Sequence, residues 1–392
     1  MATVYLKPGK EGRVLGGYLW VFAGEIARID GQVDDGGIVD IRAYRGKWVG
    51  RGFLNRKSNL AVRVLTSEHD EIDDAFYARR RRGALAYRQR LLGPASVYRV
   101  VYSEGDFLPG LIVDRYGDVV VLQTLALGMD VRKSMLVDQL AQLLRPAAIY
   151  ERNDPPVRAL EGLPSQVGWR YGAADPVIEI QEGPARLWVD VAQGQKTGFY
   201  LDQRENRLAV ASLLRDAEVL DAFCYTGAFA IQATLAGARS VTGIDISEDA
   251  VAVAQDNAQL NGIADRAIFV VANAFDELRR LSSEGAQFDA VILDPPPFAR
   301  NKAALPRAVV GYKEINLRAL KLLRPGGLLI TCSCSHHMNE SLLVEVVASA
   351  AADARRRVRL VERRGQARDH PIHPAMPETR YLTCLILEVY PH

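Results

Sequence analysis

Cysteine is scarce in this chain, with four residues among 392: Cys224, Cys332, Cys334 and Cys384. So few cannot staple a protein of this length, and any cysteine that is more than core filling is then a catalytic or metal-binding part. Long apolar runs are missing too. No stretch approaches the roughly 20 residues that span a bilayer, and the opening MATVYLKPGKEGR lacks the apolar centre of a signal peptide; a cytoplasmic protein is expected. Net charge is small, because 49 basic and 47 acidic side chains leave only +2. That excludes reading the whole chain as a polycation. Fixed-period repeats and low-complexity tracts are also absent, so neither a solenoid nor a disordered linker protein fits.

What is present is an ordinary globular composition, 48% hydrophobic and 24% charged, in a chain too long for one core. Two or three domains are expected. Residues 1–70 read as short alternating strands broken by glycine, the pattern of a small β-barrel. Residues 71–183 mix a charged helix from Ile72 to Leu92, strand-like text around EGDFLPGLIVDRYGD and an amphipathic helix over 131–145, a central α+β unit that ends near Gly183-Pro184. Arginine is concentrated locally, at Arg79, Arg80, Arg81, Arg82, Arg88 and Arg90 and again at Arg355, Arg356, Arg357, Arg359, Arg363 and Arg364. Each cluster is either a solvated face or a phosphate-contacting surface.

Residues 184–392 change character. From Val219 onward, near-continuous apolar strands (EVLDAF, SVTGIDI, AIFVVAN, FDAVILD, GGLLITCSCS) alternate with helices. This predicts an α/β fold, a doubly wound Rossmann-like parallel sheet, which VRLVERR and YLTCLILEV would extend as a C-terminal antiparallel hairpin. Ligands of such a sheet sit at the carboxyl ends of its strands.

The first strand runs into Asp221-Ala222-Phe223-Cys224-Tyr225-Thr226-Gly227, a tight turn whose single glycine admits close approach of a ligand. The second ends at Asp245-Ile246, where a carboxylate can accept both ribose hydroxyls. A dinucleotide would need G-x-G-x-x-G to seat its pyrophosphate, and an acid at the start of the turn would repel that group. Asp221 instead suits the cationic end of S-adenosylmethionine, unless it only caps backbone. Asn273-Ala274, ending the third strand, can meet the adenine edge. No resident metal is expected, since C-x-C-x-H-H over Cys332, Cys334, His336 and His337 departs from ordinary zinc spacing.

The fourth strand ends in Asp294-Pro295-Pro296-Pro297-Phe298, an acid and an aromatic on a stiffened loop. Asp294 can hydrogen-bond the amidine edge of a base that Phe298 stacks on, with Pro295 and Pro296 shaping the wall; a loop of this kind also serves methylation of exocyclic amines. The fifth strand ends in Thr331-Cys332-Ser333-Cys334-Ser335. Cytosine carbon 5 is a poor nucleophile until a thiolate adds at carbon 6, which is chemistry a cysteine beside Asp294 can supply. Both cysteines can equally be small buried strand residues.

Six motifs in order, WVFAGEI (20–26), EGDFLPGLIVDRYGD (104–118), KTGFYLDQRENR (196–207), DAFCYTGAFA (221–230), DPPPF (294–298) and CSCS (332–335), resemble the bacterial 23S ribosomal RNA large-subunit cytosine-5 methyltransferase I family across essentially the whole chain. The resemblance implies an N-terminal PUA domain, a class I methyltransferase domain, ribosomal RNA as substrate, 5-methylcytosine as product, and a homodimer, although no segment declares an interface. It puts the nucleophile at Cys334 rather than Cys332, counting from Gly326-Gly327. In KTGFYLDQRENR it implies that Phe199 covers the cofactor and that Tyr200, Gln203 and Arg204 order the target base, with Asp202 in the same segment that covers the cofactor or orders the base. Two departures stand out. Pro297 occupies the place of the second cysteine that many such enzymes use in product release, and Asn273 stands where relatives usually carry Asp. The remaining alternatives are an exocyclic-amine methyltransferase and an RNA-binding assembly protein without catalysis.

Overall fold

The computed structural model describes residues 1–299, 301–335 and 337–391. The chain divides into two compact units, each built from more than one segment: Met1–Ile178, Val189–Leu201 and Arg368–Thr379 in the first, and Glu179–Trp188, Asp202–Ala367 and Arg380–His392 in the second. Gly183-Pro184, where the sequence suggests a boundary, forms the turn of a hairpin made by Val177–Glu182 and Ala185–Asp190.

The first unit holds two sheets. Six N-terminal strands form one of them, in which Ala2–Leu6 pairs antiparallel with Ile26–Asp30 and parallel with Ile38–Arg42. Alternation of apolar and polar residues turns Val4, Leu6, Val39, Ile41, Val62 and Val64 into one core, which Met376 joins. The second sheet has five strands between Val97 and Tyr171, covered by the helices Asp74–Leu92 and Lys133–Leu144. The arginines of the first helix divide sharply. Arg88 is buried against Asp106 and Arg81 is buried, while Arg80 donates to the Leu65 carbonyl. Arg79, Arg82 and Arg90 of that cluster are exposed and Arg80, Arg81 and Arg88 are not, so half of it serves packing and half faces solvent.

The second unit is a seven-stranded sheet. Its elements are β1 (Glu218–Ala222), α1 (Ala228–Leu235), β2 (Ser240–Asp245), α2 (Glu248–Leu260), β3 (Ala267–Val271), α3 (Ala274–Glu284), β4 (Phe288–Leu293), α4 (Leu305–Leu322), β5 (Leu323–Ser333), α5 (Glu340–Asp353), β6 (Arg356–Arg364) and β7 (Thr383–Pro391). Strand order is β3-β2-β1-β4-β5-β7-β6, with β1 to β5 parallel and β7 antiparallel to both neighbours. The C-terminal hairpin expected from the sequence is therefore present. Central strands are apolar on both sides because helices cover both; Leu220, Val291, Leu293, Leu329 and Leu385 pack with Tyr312, Ile315 and Ala319 of α4 and Leu343 and Val347 of α5. The strand order reverses between β1 and β4, and in an open sheet that is where the carboxyl ends leave a crevice.

Candidate functional site: the carboxyl edge of the second unit

At the end of β1, the buried Asp221 accepts a hydrogen bond from Ala230 N (3.1 Å) through Oδ2, while Oδ1 is buried and has no partner. Burial pushes this carboxyl well above the usual range, and repulsion from Asp294 and then Asp245 adds to the rise. A carboxylate in that state gains from a proton or from a cation. The turn that follows is strained: Phe223 and Tyr225 have φ of 65° and 50°, and Gly227 has 80°. Each non-glycine residue there costs about 1–3 kcal/mol. The turn is held by Cys224 N to the Ile244 carbonyl and by Tyr225 N to Asp245 Oδ2, both 2.9 Å. A Cβ at Gly227 would lie 2.7 Å from the Phe269 ring, so only glycine fits. Thr226 Oγ1 is buried without a partner.

Asp245 uses one lone pair of each oxygen, on Tyr225 N and on Ser247 N (3.0 Å), and keeps others for hydroxyl donors. Ile246 beside it is 68% exposed, a large apolar surface at the strand end. Asn273 Oδ1 caps α3, accepting from Phe275 N (3.0 Å) and Asp276 N (3.4 Å). Ala274 is buried as the first residue of that helix. The residues fit S-adenosylmethionine: an orphaned carboxylate oxygen, an orphaned hydroxyl, a free-standing apolar side chain and a second carboxylate line one edge.

Across the crevice, Asp294 N reaches the Ala222 carbonyl at 3.5 Å, which ties the β4 loop to β1. Pro295 is buried, Pro296 and Pro297 are exposed, and Phe298 is partly buried. Phe298 belongs to an aromatic cluster, with ring centroids 4.7 Å from Tyr312, 5.6 Å from Phe275 and 6.4 Å from Phe223.

The two cysteines of β5 part company. Cys332 is buried opposite Cys384 in the β5–β7 register, and the hydrogen bond between these thiols, then burial, raise its pKa well above the ordinary value. Cys332 stays a thiol. Cys334 lies just past the end of the strand, is partly exposed, and its Sγ approaches the Pro295 carbonyl at 3.9 Å. The structure thus brings Cys334 to the Asp294 loop. Cys224 and Cys384 are buried, as expected for structural residues. Among the described residues no His, Cys, Asp and Glu cluster could hold a metal; His336 lies outside them.

KTGFYLDQRENR is split. Lys196 to Leu201 belong to the first unit, where Phe199 is buried and the Lys196 ammonium stands 4.5 Å from the Tyr200 ring centroid. Asp202 onward belongs to the second. There Asp202 accepts from Tyr381 Oη (2.6 Å), Gln203 accepts from Asn206 Nδ2 (2.6 Å) and lies beside Cys332, and Arg204 is nearly buried. Arg207 forms a two-point pair with the buried Glu182 (2.6 and 2.5 Å). The residues that sequence reasoning missed are Tyr312, Ser333 and Ser335: the Tyr312 hydroxyl lies 3.1 Å from Ser333 Oγ and 3.5 Å from Ser335 Oγ, the two serines that flank Cys334. The sole signal was the serine on each side of the cysteine.

Comparison with known proteins identifies what the chain is similar to. Residues 161–380 match the S-adenosylmethionine-dependent methyltransferase family, and residues 4–67 match the PUA-like domain. Among solved structures, SMU.776 in complex with SAH superposes with a TM-score of 0.86 at 19% identity, covering 99% of this chain and all of that one. The M. jannaschii tRNA m1G37 methyltransferase reaches 0.53 at 16% identity, over 85% of this chain and 83% of its own. These likenesses concern the fold. Proteins named ribosomal RNA large subunit methyltransferase I from Shewanella denitrificans and Tolumonas auensis are 43% and 42% identical, over 99% and 98% of both partners respectively. With identity at that level along its whole length, and with the methyltransferase crevice built as described, the chain belongs to the ribosomal RNA large subunit methyltransferase I family of S-adenosylmethionine-dependent enzymes.

Proposed function

We propose that this enzyme methylates carbon 5 of a cytosine in large-subunit ribosomal RNA through a covalent adduct on Cys334. One observation carries the chemistry: of the two cysteines at the end of β5, the one beside the Asp294 loop is partly exposed and the other is locked as a buried thiol. The printed names of the relatives support ribosomal RNA as the substrate class.

S-adenosylmethionine, when bound, supplies an electrophilic methyl group, and Asp221, Thr226, Asp245 and Ile246 would hold it. The target base must leave its stack to reach the crevice. Asp294 then anchors the amidine edge of the cytosine against Phe298. The Cys334 thiolate forms a bond to carbon 6, and the electron pair displaced toward carbon 5 takes the methyl group. Loss of the carbon 5 proton to a base and departure of the thiolate restore the aromatic ring. With Pro297 in place of a second cysteine, proton removal falls to another group. Residues 1–70 would add grip on RNA, 71–183 would support it, and 184–392 would perform the chemistry.

The test is incubation of purified protein with labelled S-adenosylmethionine and unmodified large-subunit ribosomal RNA, followed by digestion to nucleosides. Labelled 5-methylcytidine from wild type and none from Cys334→Ser supports the proposal. Label in an N-methylated base would transfer the chemistry to Asp294 and remove the thiolate from it.

A further inference from the structure

Tyr312 is fully buried on α4, on the face that packs against β4 and β5. A phenol there needs a hydrogen-bond partner, since an unsatisfied one costs about 1–3 kcal/mol. Its hydroxyl donates to Ser333 Oγ at 3.1 Å and lies 3.5 Å from Ser335 Oγ. Those two serines flank Cys334. Ser335 Oγ also accepts from Ala299 N (3.4 Å), the residue after Phe298, and Ser335 N donates to Ser333 Oγ (3.3 Å). The Tyr312 ring meanwhile supports Phe298 at 4.7 Å. One side chain from the crossover helix therefore touches both the turn that bears the cysteine and the loop that bears Asp294.

We infer that Tyr312 is a positioning residue that fixes the Cys334 turn relative to the Asp294–Phe298 loop through its hydroxyl. The inference rests on the reading of Cys334 as nucleophile. Tyr312 is not the missing base. Burial, together with the nearby Cys334 and Asp294, raises the phenol to about 12, so it remains a donor. Placement of this kind matters because an error near 1 Å in a reacting pair costs about 100-fold in rate.

The experiment is Tyr312→Phe, which keeps the ring and removes only the hydroxyl, assayed beside Ser335→Ala and the double variant. The expected result is a kcat for RNA methylation lowered about 10- to 100-fold, with the KM for RNA and the affinity for S-adenosylmethionine within about twofold of wild type. Because the two substitutions share the Tyr312–Ser335 contact, the loss in the double variant should fall short of the sum of the single losses. Wild-type kcat in Tyr312→Phe, or fully additive losses, would overturn the inference. If Tyr312→Phe fails to fold by circular dichroism, Ser335→Ala is read alone, and wild-type kcat there overturns it equally. Cys334→Ser in the same assay separates the two levels: activity retained there defeats the nucleophile and this inference with it, whereas an inert Cys334→Ser beside a fully active Tyr312→Phe defeats only the inference.

Discussion

The two halves of the sheet's carboxyl edge are built on different principles. On the β1–β2 side, Asp221 and Asp245 stand close enough to repel, one of them buried with an orphaned oxygen, above a turn in strained backbone conformations. On the β4–β5 side Asp294 adds to that repulsion, but the rest is thiol, hydroxyl and aromatic ring, tied together by Tyr312, Ser333, Ser335 and Phe298. The first half stores unfavourable electrostatics that a cation relieves. The second fixes distances. Cofactor affinity should therefore follow charge at β1, and methyl transfer should follow geometry at β5.

The sharpest way to break this division is Cys334→Ser. Methyl transfer should fall by about 10³-fold or more while S-adenosylmethionine still binds with wild-type affinity by calorimetry. Cys332→Ser, two residues away, should leave kcat within a few-fold. If Cys332→Ser is the inactive one, the division of the two cysteines by burial is wrong.

Asp221→Asn addresses the other half. Hydrogen bonds to charged groups contribute about 1.5–3 kcal/mol, so cofactor affinity should drop about 10- to 100-fold. The pH dependence has a definite sign. Asp221 has a raised pKa in the folded protein, so without cofactor its contribution to stability is fully present below the ordinary Asp range and is lost as pH rises through the folded value. A cation binds the ionised form. Affinity for S-adenosylmethionine should thus increase with pH over the same window, and the Asn variant should lose that slope. A slope unchanged in Asp221→Asn would remove this carboxylate from the site.

The smallest effect concerns Asn273, which lies between cofactor and fold. Asn273→Ala should cost about 1 kcal/mol of stability through loss of the α3 cap, measured by denaturant titration. Asn273→Asp should restore it, since a carboxylate caps equally well.

How much of this was legible in the sequence differs between the same two halves. The β1 turn could be read because parallel strands buried on both faces are continuous apolar runs, and Asp221 and Gly227 interrupt one at its end. Asp245 followed from strand spacing. Cys334 was singled out by resemblance; the structure puts it just beyond β5, with Sγ near the Pro295 carbonyl. Tyr312 could not be found, because its partners lie 21 and 23 residues away and on its helix it looks like any core aromatic. The arginine-rich helix misled in the opposite sense: charge pattern predicts an exposed stripe, yet Arg81 and Arg88 point inward. Segment exchange was also hidden, since Val189–Leu201 and Arg368–Thr379 join the first unit from within the text of the second.

The central claim is a covalent bond between Cys334 and cytosine carbon 6, and it can be observed directly. Large-subunit ribosomal RNA transcribed with 5-fluorocytidine would be incubated with the enzyme and S-adenosylmethionine; fluorine at carbon 5 cannot be removed as a proton is, so the adduct should persist. The prediction is an RNA-linked peptide containing Cys334 by mass spectrometry, lost in Cys334→Ser. Methylation of normal RNA with no trapped species, or a link to another residue, would contradict it.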